Sequence, residues 1–136
     1  MKQNSTTNSE DMVKRTERGW AGHFICSDRC NFRRNTLLEY EGKFIVVSTV
    51  GRMVVERAGN FAIDTVGHDR YYETMAFYSD TSDLKFHDID VERQIYLDCD
   101  WTLNEIDDNK ANDMHEKAVD WVGRQMMEHK VIIQTM

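Results

Sequence analysis

Between His23 and Asn35 the chain reads HFICSDRCNFRRN, which places a histidine, two cysteines, three arginines and two asparagines close together. Three chemistries compete for this stretch. His23, Cys26 and Cys30 form H-x2-C-x3-C, three ligand types that suit zinc, with His68, His87 or Cys99 as a fourth. The spacing is not that of a zinc knuckle, because no C-x2-C pair is present. A strand over 19–26 would also turn His23 and Cys26 to opposite faces. Alternatively, Cys26 or Cys30 acts as a nucleophile, with His23, His68 or another histidine as base and Arg29, Arg33 and Arg34 lowering the thiol pKa. No glycine-flanked nucleophile elbow accompanies them. The third chemistry is an anion cradle. Arg29, Arg33 and Arg34 offer guanidinium forks that match phosphate or carboxylate oxygens. Asn31 and Asn35 add neutral donors, and Trp20, Phe32 and Tyr40 supply surfaces on which a base stacks. The plainer alternative is that these arginines pair with the protein's own acidic half.

A second set of candidates is carboxylates. Asp88 and Asp90, with Asp98 and Asp100, have the D-x-D spacing that puts two carboxylates on one strand face, as a two-metal site requires. Alternation explains them more simply, as the wet side of a half-buried strand. On that reading Asp88, Asp90, Glu92, Asp98 and Asp100 form an acidic face open to a partner. No metal or cofactor is expected from either set.

The elements that must position these groups are mostly strands. Residues 1–17 are polar and aperiodic and read as a flexible tail, with one domain over 18–136. Strands are expected at Gly19–Cys26, at Thr36–Tyr40 and Phe44–Val50 as a hairpin around Glu41-Gly42-Lys43, and at Arg52–Arg57 after a bulge or bend at Gly51. Two more are expected at Phe61–Val66 and Arg70–Tyr78, with a loop at Ser79–Asp83. His87–Asp98 alternates over its length, with Ile89, Val91, Ile95 and Leu97 on one side, acids on the other, and Arg93 near an edge. Asp107 or Asp108 then caps a helix whose Ala111, Met114, Ala118, Trp121, Val122 and Met126 recur every three or four residues. The Trp and Met on that helix would also suit a dimer seam. Val131–Met136 is a short strand or a frayed end. Strands first and one amphipathic helix last predict an α+β fold: a mostly antiparallel, curved sheet of five to seven strands with the helix packed on it.

The 136 residues carry a formal charge of −7, which opposes bulk binding to nucleic acid or to an anionic membrane. No apolar run is long enough for a membrane span, and the N-terminus has no apolar signal region. Three cysteines without such a signal favour a reducing cytoplasm. The charge is uneven: nine Lys/Arg against five Asp/Glu over 14–57, and four against thirteen over 80–120. If the fold separates these halves, the molecule carries a basic patch and an acidic face.

Three strings, RGWAGHFICSDRCNFRRNTLLEY at Arg18–Tyr40, IVVSTVGRM at Ile45–Met53 and DRYYETMAF at Asp69–Phe77, resemble a family of small proteins found on bacteriophages and other bacterial mobile elements. The resemblance covers about the first half of the chain and brings no activity or ligand with it. It implies an accessory protein of such an element, and small acidic proteins of that kind often inhibit host defence or host enzymes by binding them. The expected function is therefore a non-enzymatic, cytoplasmic, homo-oligomeric binder with no membrane association. It would act on a host protein through the acidic face, or on a nucleotide-like anion through the arginine loop. The alternative is a small cysteine- or metal-dependent hydrolase or transferase.

Overall fold

The computed structural model describes residues 12–18, 23, 27–80, 82 and 88–134. It is an α+β protein whose seven described strands form one open, curved antiparallel sheet with a C-terminal helix laid on it. In chain order the strands are β1 (Lys14–Arg18), β2 (Cys30–Tyr40), β3 (Lys43–Arg57), β4 (Asn60–Asp64), β5 (Tyr72–Ser79), β6 (Ile89–Gln94) and β7 (Trp101–Leu103). The spatial order is β1-β2-β3-β5-β6, with β4 on the far half of β3 and β7 beside β5.

Two glycine turns set the register of the centre. Glu41 and Gly42, and again Ala58 and Gly59, all have positive φ. That is the two-residue hairpin turn whose twist matches the strands it joins, and only glycine takes its second position without cost. The first turn pairs Tyr40 with Lys43 and the second pairs Arg57 with Asn60.

The strand β3 runs straight through Gly51, and the expected break lies one residue later, at Arg52, where φ is 52°. Before it, Ile45–Gly51 pairs with β5; after it, Met53–Arg57 pairs with β4. Gly51 serves a different need. A Cβ there would lie 2.2 Å from Tyr72 Cδ2 and 2.6 Å from the Tyr71 carbonyl oxygen. Beyond the start of β2, residues 54–64 continue as a two-stranded arm.

Along β3, alternate residues serve opposite faces. Ile45 and Val47, with Leu38 and Ala76, meet Ala118, Val119, Val122 and Met126 of the helix α1 (Asp108–Met127). Val46, Ser48 and Val50 point the other way and are buried as well. Burial on both faces explains the unbroken FIVVSTV run. Asp107 caps the helix by accepting from the amides of Asn109 and Lys110, and Tyr72 and Arg52 tie Asp108 back to the sheet. Met126 is in the core and Trp121 is partly buried against it, so the residues expected to form a dimer seam are largely used internally.

Several expected boundaries move. Lys14–Arg18 is strand, not tail, because Arg15 bonds Glu116 on the helix and Glu17 accepts from Arg34 and Thr36. Ion pairs fix an edge strand that no apolar pattern announces. The expected strand Gly19–Cys26 lies outside the described residues except for His23, as do His87 and Met136. The expected strand His87–Asp98 is reduced to Ile89–Gln94, because the register against β5 shifts between Phe77 and Ser79. The bulge turns Val91 outward, 67% exposed, against its expected place in the buried row. The C-terminal segment returns to that edge, where Tyr96 donates to the Ile132 carbonyl and Gln134 to that of Gln94.

Candidate functional site

The expected arginine loop is strand from Cys30 onward, and this decides the fate of the cradle. Consecutive strand residues face opposite sides, so Arg33 and Arg34 cannot converge on one anion. Arg34 faces the helix and is consumed there: Nε donates to Glu17 at 2.9 Å, and Nη1 reaches Asn112 Oδ1 and Glu116 Oε2, each at 2.7 Å. Those carboxylates raise the Arg34 pKa against the opposing pull of burial. Arg15 closes the group onto Glu116, whose carboxyl is held down at about 2, chiefly by the Arg15 hydrogen bond. Arg33, on the other face, is exposed, as are Asn31 and Arg29, the last in a short 3-10 turn at Ser27–Arg29. Asn35 is buried.

The histidine and cysteines are not brought together as ligands. Cys26 lies outside the described residues. Cys30 is buried among Val50, Val66 and Met53, while His68 and Cys99 are exposed. His23 is held elsewhere. Its Nδ1 lies 3.1 Å from Ser48 Oγ and its Nε2 2.9 Å from Glu73 Oε1, while Arg70 donates to Glu73 Oε2 at 2.6 Å. These bonds lower the Glu73 pKa, with the His23 hydrogen bond as the largest cause. A hydroxyl, an imidazole and a carboxylate in line are the parts of a hydrolytic triad. Here Ser48 is 0% exposed in the central strand, so the arrangement ties His23 to the sheet and presents no nucleophile to solvent. Cys99 is no better placed. Loss of hydration first, then Asp98 and Asp100, raise its thiol pKa and keep it protonated.

A second histidine centre escapes the sequence altogether. His115 is fully buried in α1; its Nδ1 lies 2.6 Å from Thr49 Oγ1 and its Nε2 2.7 Å from Thr36 Oγ1. Thr36 donates to Glu17, so it must accept from His115 Nε2–H. Nδ1 is then the acceptor, Thr49 donates to it, and Thr74 donates to Thr49 at 2.6 Å. The chain of donors ends on a carboxylate, and every hydroxyl proton has a place. Burial, then the Arg34 charge, hold the imidazole down at about 4, and it is neutral.

The carboxylate set fares differently. β6 and β7 lie one after the other along the same side of β5, joined by residues 95–100, and form one edge of the sheet. Asp88, Glu92, Asp98 and Asp100 are exposed there, and none is within ion-pair distance of a Lys or Arg among the described residues. Asp90 is the exception: Arg93 donates to it at 3.0 Å while also bonding the Ser79 carbonyl and lying over the Tyr78 ring. Among the described residues the opposite edge is β1, with Lys14, Arg15 and Arg18. No group of three or more His, Cys, Asp or Glu among the described residues could hold a metal ion, and no described helix is long and apolar enough to cross a membrane. Comparison of the chain with protein-family models, with curated proteins and with solved structures finds no match.

Proposed function

We propose that the chain is a non-enzymatic binding protein, encoded by a mobile element and acting in the bacterial cytoplasm, that sets its acidic edge into a basic groove of a host protein. The carboxylates of Asp88, Glu92, Asp98 and Asp100 would occupy that groove as a phosphate backbone does, blocking the host protein's own ligand. One observation carries this reading: these four acids stand exposed along one edge while Arg15 and Arg34 are spent on internal pairs. The arginine cradle loses support, because Arg33 and Arg34 face apart. Of the two thiols of the enzyme alternative, Cys30 is buried and Cys26 lies outside the described residues.

The test is capture from nuclease-treated bacterial extract by the immobilised chain and by a variant carrying Asp88→Asn, Glu92→Gln, Asp98→Asn and Asp100→Asn. The parent chain is expected to retain basic, nucleic-acid-binding proteins that added salt and duplex DNA both release. The neutralised variant is expected to retain none of them. Retention of the same proteins by both chains would overturn the proposal.

A further inference from the structure

We propose that two copies of the chain pair through β4, antiparallel about a two-fold axis at Ala62, so that two hairpin arms become one four-stranded sheet. The arm leaves the body of the sheet after Arg52. β4 pairs only with β3 among the described residues, and Asn60–Ile63 are exposed. Phe61 is 78% exposed and shares an arm face with Ile63 and Val54. A two-stranded ribbon is marginal alone, and a further pair of strands is what it lacks.

The register follows from the hairpin. In a two-residue turn the closing pair, here Arg57 and Asn60, exchanges both backbone bonds. Alternation then turns the amides of Ala62 and Asp64 toward β3 and those of Phe61 and Ile63 outward. An antiparallel copy centred on Ala62 sets Phe61 opposite Ile63 of the second copy and Ile63 opposite its Phe61. Both of these are outward-facing pairs, so together they make four backbone hydrogen bonds. The same register sets each Phe61 ring beside Ile63 and Val54 of the other copy, and each Asn60 opposite an Asp64 carboxylate that its amide can donate to. No like charges face each other.

Among the described residues, the other long edges refuse the same arrangement. Two β1 strands centred on Thr16 would set each Lys14 opposite an Arg18 of the other copy. Two β6 strands would oppose Asp88, Asp90 and Glu92, and there the outward amides of Ile89 and Glu92 are already capped by Asp88 and Asp90. Charge of one sign and self-capped amides are the usual defences of an edge strand, and β4 has neither. The second copy is thus the occupant that the charge pattern selects, through a contact that is the same patch on both subunits.

Sedimentation equilibrium of the full chain is expected to give twice the chain mass in the micromolar range. Phe61→Lys, a change at an exposed side chain, is expected to return the mass to that of one chain with its melting transition retained. Ala62→Cys on a Cys99→Ser background adds a positive readout. At the two-fold axis the pair is not hydrogen-bonded, with Cα atoms about 4.5 Å apart, within disulfide reach. Oxidised glutathione should link the two thiols across it, taking up their electrons and protons. A single-chain mass at every concentration would overturn the proposal. So would a dimer that Phe61→Lys leaves intact and that gives no linkage through position 62.

Discussion

Ser48 and Thr49 are neighbours on β3, and each meets a histidine, but from opposite sides of the sheet. On the helix side both His115 nitrogens bond threonine hydroxyls, and burial and then the Arg34 charge hold the ring neutral, with the Glu17 carboxylate one hydroxyl away. On the other side His23 lies directly on Glu73, itself held by Arg70. The helix side therefore uses the imidazole as an uncharged two-ended connector inside a packed core. The other side uses it as the partner of a carboxylate. A buried imidazole held between hydroxyls and one set against a carboxylate should respond differently to substitution.

The largest effect is expected on the helix side at Gly51→Ala. The new methyl group would meet the Tyr72 ring and the Tyr71 carbonyl well inside van der Waals contact, and the tyrosine is fixed at its far end by Asp108. Relief requires moving β5 or the helix N-terminus, so a loss of more than about 3 kcal/mol is expected, as for overpacking at its upper end. Urea unfolding measures it, and a loss below 1 kcal/mol would show that the strands yield easily.

His115→Ala is expected to cost about 3 kcal/mol, because it opens a cavity and leaves the Thr36 and Thr49 hydroxyls without their partner. The same residue gives the comparison its pH signature. The unfolded chain protonates this histidine near its ordinary value of 6.5 and the folded chain only near about 4. Between those values unfolding takes up a proton, so stability is full above pH 6.5 and falls as the pH drops toward 4. The depth of that fall is about 3 kcal/mol. From the ordinary carboxylate value of 4.5 downward the Glu116 and Glu73 carboxylates, whose pKa values are depressed, add a further loss. The alanine variant should flatten the upper part of this profile and keep the lower. An unchanged slope between pH 6.5 and 4 would remove His115 as its source.

Little of this centre can be read from the chain, and the reasons are specific. The helix and its Asp107 cap were legible because Ala111, Met114, Ala118, Val122 and Met126 keep the helical period. The β2–β3 hairpin was legible because apolar β-branched residues flank a glycine. His115 lies between Met114 and Glu116 and matches no spacing rule. The hint available was in the strands, where Thr36, Thr49 and Thr74 stand as polar residues at positions facing the core. The arginine loop was misplaced because Asn31, Arg33, Arg34 and Asn35 are poor strand formers. They are strand because the long β3 offers this stretch a partner from Ser48 to Met53. The acidic edge was legible as composition, but not the bulge that turns Val91 out and gives Asp90 to Arg93. His23, Ser48 and Glu73 are far apart in sequence, and only the fold brings them together.

The smallest of the three effects is expected at His23. Its side chain is nearly inaccessible, so His23→Ala removes buried ring surface and one charge-assisted bond. Glu73 keeps Arg70, however, so no charge is stranded. A loss of about 1–2 kcal/mol follows, within the ordinary range for a part-buried polar contact. Losing His23 leaves Glu73 with one fewer donor, so its carboxyl should titrate higher. The double variant His23→Ala, Arg70→Ala would then leave that carboxylate without a cation and should lose clearly more than the two single changes added. Strict additivity in that cycle would mean that His23 and Arg70 do not share Glu73, and the contrast between a histidine set on a carboxylate and one set between hydroxyls would fail on the carboxylate side.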